Sequence, residues 1–247
     1  MSHIVLVHGA WQGAWCWERV GPLLRQAGHD VTAESLAGCG ERSAELSPAV
    51  TLERHVDEVT ASLPDSDRRD VVLVGHSYSG MVITGVAERV PERLAELVYV
   101  DAFYPAHGQS ALDQMPLPFQ AMFRQRAADE GDGWRLPADD ALLDVWGLLD
   151  ADLRLWVRPR LTDWSLNCFT SPLDAPRLHR NALPRVYVAA DGDDYPARAA
   201  FAPIATAAQA DGCRIEHLAT GHDMMLEAPR ALADIVLEVA DTTAVTP

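Results

Sequence analysis

Ser77 stands in Gly75-His76-Ser77-Tyr78-Ser79-Gly80, with the apolar run VVLV before it and the helix-like run MVITGVAERV after it. That context gives a G-x-S-x-G-type pattern its meaning. A sharp, strained strand-to-helix turn pushes the serine oxygen out beyond the sheet edge and needs small residues on either side of it. Gly75 fills the first small position. At the second, Ser79 occupies the usual place and Gly80 follows one residue beyond it, a departure that a residue as small as serine can accommodate. A serine hydroxyl is a weak nucleophile near neutral pH and needs a base within hydrogen-bond reach, usually a histidine oriented by a carboxylate.

His222, late in the chain in Ala219-Thr220-Gly221-His222-Asp223-Met224-Met225, is the best placed base. His8 and His76 sit in tight loops at strand ends, where backbone positioning by hydrogen bonds is the expected job. His3, His29, His55, His107, His179 and His217 have no comparable placement and are expected to be structural. Two positions compete for the acid. Asp193, in Asp191-Gly192-Asp193-Asp194 after the apolar run VYVAA, is preferred; Asp101, which ends AELVYVD, is the alternative. Asp191 and Asp194 complicate the first choice, because a cluster of three acids is also the composition of a solvated loop. The developing oxyanion would be held by two main-chain donors, the N–H of Tyr78 and that of Ala10.

These residues need a scaffold that brings distant loops together. Short β-rich runs alternate with longer amphipathic segments, the pattern of a mostly parallel sheet with crossover helices on both faces. Strands are expected at Ile4–His8, His29–Glu34, Asp70–Gly75, Leu94–Asp101, Arg185–Ala190 and Arg214–Leu218. In such sheets the chemistry gathers beyond the C-terminal strand ends, where this chain places His8 to Trp11, Gly75 to Tyr78, Asp101, Asp191 to Asp194 and Gly221 to Asp223.

Between the fourth and fifth of these strands, residues 104–183 are too many for a crossover helix and read as a mostly helical cap. The expected organisation is a core of residues 1–103 and 184–247 with this cap inserted. The cap carries Phe119, Phe123, Trp134, Trp146, Trp156, Trp164 and Phe169. Most of these aromatics should simply pack. Trp11, Phe119, Phe123 and Trp134 are the expected substrate contacts, with Met115 and Met122 adding to an apolar pocket suited to a small or medium apolar or aromatic substrate.

Composition removes other chemistries. The chain has 247 residues and a net charge of −16, which repels phosphate backbones and anionic membranes. Its 20 basic residues are all arginines, so a lysine Schiff base and a phosphate-loop lysine are excluded. The four cysteines, Cys16, Cys39, Cys168 and Cys213, lack metal-ligand spacing and suit free thiols in a reducing cytoplasm; no metal site is expected. The start, Met1-Ser2-His3 followed by an apolar strand, has no charged n-region or long apolar stretch, so a soluble, unexported protein is expected, with no nucleic-acid or membrane partner.

Together VLVHGAWQGAWCWERV, GHSYSG, VYVAADGDD and ATGHDMMLEAP resemble the plant methylesterase and hydroxynitrile lyase branch of the α/β-hydrolases and its bacterial relatives. The resemblance runs through the body of the chain and is weak in the cap. It implies an α/β-hydrolase fold and a cofactor-free enzyme, with Ser77, Asp193 and His222 as triad, Ala10 and Tyr78 as oxyanion donors, and often a homodimer. Lyase members depend on a threonine in the first loop and a lysine just after the catalytic histidine. This chain has Gly9 and Asp223 there. Hydrolysis of a carboxylic ester or thioester through an acyl-enzyme is therefore the expected activity. The alternative is a lyase or cyclase in which His222 moves protons and Ser77 only donates a hydrogen bond; a non-catalytic ligand receptor ranks last.

Overall fold

The computed structural model describes residues 1–64, 67–177 and 183–243; His179 and residues 244–247 of the polar tail lie outside them. The chain begins with β1 (His3–Val7), β2 (Asp30–Ala33), β3 (Val71–His76) and β4 (Leu94–Val100). Two short strands, β5 (Arg135–Leu136) and β6 (Trp164–Ser165), pair with each other, and β7 (Arg185–Ala190) and β8 (Arg214–Leu218) complete the set. All but β5 and β6 form one parallel sheet in the order β2-β1-β3-β4-β7-β8. The expected strands fall within a residue of these bounds.

The burial of each strand follows its place in the sheet. β3, VVLVGH, is buried at every position and lies between β1 and β4, as a strand covered on both faces must be. The edge strands β2 and β8 are only partly buried and carry Asp30, Arg214, Glu216 and His217, the charged and polar residues that blunt an open edge.

The helices of the body are α1 (Gly21–Gln26), α2 (Leu52–Ser62) and α3 (Ser79–Arg89), followed after the insertion by α8 (Arg198–Ala210), α9 (Met224–Glu227) and α10 (Pro229–Thr243). From β1 to β2 the chain moves one way along the sheet, and from β2 onward it moves the other way. Right-handed crossovers therefore put α1 on one face and α2, α3 and α8 on the opposite one. The packing agrees, α1 lying against α10 and α2 against α3. The reversal falls between β1 and β3, where such sheets open a crevice for ligands.

The insertion between β4 and β7 contains α4 (Leu117–Glu130), α5 (Asp140–Val145), α6 (Ala151–Val157) and α7 (Leu166–Thr170) as well as the β5–β6 pair, so it is helical with a small antiparallel ribbon. Asp139 and Asp150 cap α5 and α6 by accepting from the N–H groups of Leu142 and Leu153. Its buried residues, Leu142, Trp164 and Phe169 among them, belong to the same apolar core as the sheet. Ser165 Oγ donates to the Val50 carbonyl at 2.9 Å, and α7 packs on α2.

Candidate active site

Strand register brings the chemistry together. Val7 is paired with Gly75 and His76 with Val100, so the loops after β1, β3 and β4 begin at one level. The Ser77 N–H donates to the Val100 carbonyl at 3.1 Å, and its own carbonyl accepts from the Phe103 N–H at 3.0 Å. These bonds hold Ser77 at φ 54°, a left-handed conformation that a non-glycine residue keeps only when its surroundings impose it. A Cβ on Gly75 would lie 2.7 Å from the Ser79 carbonyl oxygen, and one on Gly80 would fall inside the van der Waals envelope of the Phe103 carbonyl. The second glycine of the elbow is thus required at position 80. Ser79 is more than a small residue, because its hydroxyl donates to the His8 carbonyl and ties α3 to the end of β1.

Ser77 Oγ lies 2.8 Å from His222 Nε2, and His222 Nδ1 lies 2.6 Å from Asp101 Oδ2. All three residues are buried. The preferred acid, Asp193, is displaced: it is exposed on the outer side of its loop, in a surface depression with Asp144, Leu149 and Asp194. The physical reason is the path of the β7–α8 loop. The Asp191 N–H donates to the Leu218 carbonyl and the Gly192 N–H to that of Thr220, each at 3.0 Å, so the chain follows the β8 end and sends Asp193 and Asp194 outward. Tyr195 then turns in. Its hydroxyl donates to Asp101 Oδ2 at 2.6 Å and lies 3.0 Å from His222 Nδ1.

Asp101 has φ 40°, and its Oδ1 accepts from the Ala190 N–H at 3.3 Å. Its own N–H donates to the Val188 carbonyl at 2.8 Å. The carboxylate is thus aimed across the end of β7 toward His222.

The other histidines near the cleft hold the frame. His8 donates from Nδ1 to the Gly9 carbonyl and accepts at Nε2 from the Leu36 N–H, and burial depresses its pKa to about 4. His55 is likewise pushed to about 4 by burial; it donates to the Ala37 carbonyl and accepts from the Tyr78 hydroxyl. His76 Nε2 donates to the His222 carbonyl at 3.0 Å, and burial, reinforced by His222, pushes the His76 imidazole well below the usual histidine range.

A second polar chain runs beneath the first. Gln12 Oε1 accepts from the Gly9 N–H at 3.3 Å and lies 3.2 Å from His76 Nδ1, while Gln12 Nε2 donates to Asp223 Oδ1 at 2.7 Å. Asp223 Oδ2 has no partner among the described residues, and burial raises this carboxyl to about 6. Ala10 and Tyr78, the expected oxyanion donors, are both buried, one in the loop after β1 and one at the start of α3.

Ser77 and His222 open into a cleft of about 770 Å³, counted out to its mouth. Trp11, Phe119 and Phe123 line it, together with Phe103, Trp146, Phe169 and Phe201. Trp134 does not line the cleft. It is half-buried after the Gly131–Gly133 turn, with its backbone bonded to Gly131 and Leu166. Sequence reasoning counted Trp146 and Phe169 only as cap aromatics, and nothing in their spacing marked them as facing Ser77.

Trp11, at φ 63°, is held from both sides. Its indole N–H donates to the Leu136 carbonyl at 3.1 Å, and its carbonyl accepts from the Thr162 N–H at 3.0 Å. Its ring contacts those of Phe123, Trp146, Trp164 and Phe169.

A parallel sheet of this order, with a serine on a strained turn after its central strand and a histidine after its last, defines a class. The chain belongs to the Alpha/beta hydrolase family, which residues 4–235 match. It is 37% identical over 242 residues to the "Carbendazim hydrolyzing esterase" of Nocardioides sp. (strain SG-4G), covering 95% of this chain and 98% of that one. A stretch of 107 residues is 40% identical to Methylesterase 8 of Arabidopsis thaliana, covering 42% of this chain and 39% of the plant protein. Among solved structures, an extracellular alpha/beta-hydrolase from a Paenibacillus species superposes with a TM-score of 0.80 at 24% identity, over 97% of this chain and 99% of that chain. A pyrethroid hydrolase from Sphingobium faniae JZ-2 gives 0.78 at 24% identity over 99% of both chains. These two structures share the fold.

Proposed function

We propose that this ester-cleaving α/β-hydrolase works through an acyl-enzyme on Ser77, with His222 as base, Asp101 as the acid of the triad, and a small or medium aromatic or apolar ester as substrate. The observation that carries the reading is the continuous path from Ser77 Oγ through His222 to Asp101, at 2.8 Å and 2.6 Å, ending in an aromatic cleft.

His222 Nε2 takes the Ser77 proton as Oγ attacks the acyl carbon. Asp101 holds the Nδ1–H tautomer and stabilises the imidazolium that forms. The N–H groups of Ala10 and Tyr78 receive the negative oxygen, and each such donor contributes about 3 kcal/mol of transition-state stabilisation. His222 returns the proton to the leaving alkoxide. Water, deprotonated by the same ring, then releases the acid and restores Ser77. No step calls for a cofactor.

Aromatic walls favour flat, apolar acyl or alcohol groups. Carbendazim is the first compound to try, given the name of the Nocardioides relative. The four cysteines are buried free thiols, which fits the reducing cytoplasm expected from their sequence pattern. No helix among the described residues is long and apolar enough to cross a membrane.

The test is incubation with a fluorophosphonate and with p-nitrophenyl esters of graded length, beside Ser77→Ala and His222→Ala, with labelling read by intact mass. One probe mass on the wild type alone, with nitrophenol release, supports the triad. A wild type that is neither labelled nor active overturns it in favour of proton-transfer chemistry by His222.

A further inference from the structure

We propose that Tyr195 is a positioning residue for the reaction, a third member of the Asp101–His222 pair whose hydroxyl fixes the carboxylate and limits how strongly it holds the protonated imidazole. This rests on the Ser77–His222–Asp101 reading given above.

Tyr195 Oη, Asp101 Oδ2 and His222 Nδ1 form a closed triangle with sides of 2.6, 2.6 and 3.0 Å. One carboxylate oxygen therefore accepts two hydrogen bonds, from a phenol and from an imidazole, while Oδ1 accepts from the Ala190 N–H. All three side chains are buried. Burial, with Asp101 as the second cause, holds the phenol well above its usual pKa, so Tyr195 stays protonated and donates. The tyrosine ring also lies nearly parallel to that of His222, 5.8 Å between centroids and 20° between planes.

Two consequences follow. The hydroxyl fixes the oxygen that His222 needs, on a residue whose positive φ leaves its backbone few other settings. It also draws off part of the charge on Oδ2, so the carboxylate attracts the imidazolium less than it would with His222 as its sole partner.

Other titratable groups face His222. His76 packs on its ring from the end of β3, Asp223 follows it on the same loop, and Glu227 acts on it from α9. Tyr195→Phe leaves all of them in place and retains the stacked ring.

The experiment is the rate of fluorophosphonate labelling of Ser77 across pH, which needs no known substrate, for wild type and Tyr195→Phe. Tyr195→Met serves as a second hydroxyl-free variant, and thermal melts establish that the variants are folded. Expected are slower labelling, on the order of tenfold at the plateau, and an acidic limb moved upward by roughly half to one pH unit, because the unrelieved carboxylate holds the His222 proton more tightly. Folded variants with the wild-type rate and wild-type limb would overturn the role of Tyr195 while leaving the triad standing. A wild type that is not labelled at all would overturn the triad, and the Tyr195 proposal with it.

Discussion

Gln12 Nε2 lies 2.7 Å from Asp223 Oδ1, and this one bond joins the loop after β1 to the loop that carries His222. Gln12 also accepts from the Gly9 N–H, and His76 reaches from beside it to the His222 carbonyl. The loop after β1 and the loop of His222 therefore share a buried polar support.

That support has a pH signature. Burial raises the Asp223 carboxyl to about 6, above the ordinary value of 3.8. A carboxyl raised on folding favours the native state below its unfolded pKa, and that contribution is lost as pH rises through the folded pKa. Wild type should thus lose stability between about pH 4 and pH 7 from this group, on the order of 2–3 kcal/mol at 1.36 kcal/mol per unit. Asp223→Asn should lack this loss. Urea melts of both proteins at pH 5 and pH 8 measure it, and the variant should gain relative to wild type at the higher pH.

The two acids of the sequence reading separate cleanly by mutation. Asp101→Asn should lower kcat/KM by about 10³–10⁴-fold, since an amide can present an N–H to Nδ1 and favour the wrong histidine tautomer. Asp193→Asn, at an exposed position, should stay within about twofold of wild type. Steady-state hydrolysis of one p-nitrophenyl ester decides between them.

At the elbow, Gly80→Ala should be destabilising by about 2–3 kcal/mol or leave the protein unfolded, because the new methyl group meets the Phe103 carbonyl. Ser79→Ala should remove about 1–2 kcal/mol by leaving the His8 carbonyl without its donor. Thermal or urea denaturation of each variant checks the order.

Much of this site was legible in the sequence, for identifiable reasons. Ser77 follows the apolar run VVLV, His222 follows the short edge-strand segment RIEHL, and each precedes a helix-like stretch, so local pattern places both at strand ends. The choice between Asp101 and Asp193 was not legible, because both follow strands. What separates them is a loop path fixed by the Leu218 and Thr220 carbonyls, which belong to another strand end. Tyr195 was hidden for the same reason, two residues beyond an acid that draws the eye. Among the aromatics, residue type identified the lining as apolar, but it does not separate Trp134, half-buried in the turn before β5, from Trp146, buried at the end of α5.

Cleft residues should therefore be distinguishable by kinetics. Phe123→Ala should raise KM for an aromatic ester about tenfold with a smaller change in kcat, since it opens the wall against Trp11 and Phe169. Trp134→Ala, away from the cleft, should leave KM near the wild-type value. Michaelis–Menten curves for two aryl esters of different size provide the comparison.

Trp11 is anchored to the insertion through the Leu136 carbonyl and the Thr162 N–H, and it directly follows Ala10. Exchanging the insertion alone is the obvious route to a new substrate. In this chain such a graft would carry away both anchors of Trp11, the residue beside the proposed oxyanion donor Ala10. The insertion and the first loop are consequently one inheritable unit, and chimeras that exchange 104–183 should recover turnover only when residues 8–12 travel with it.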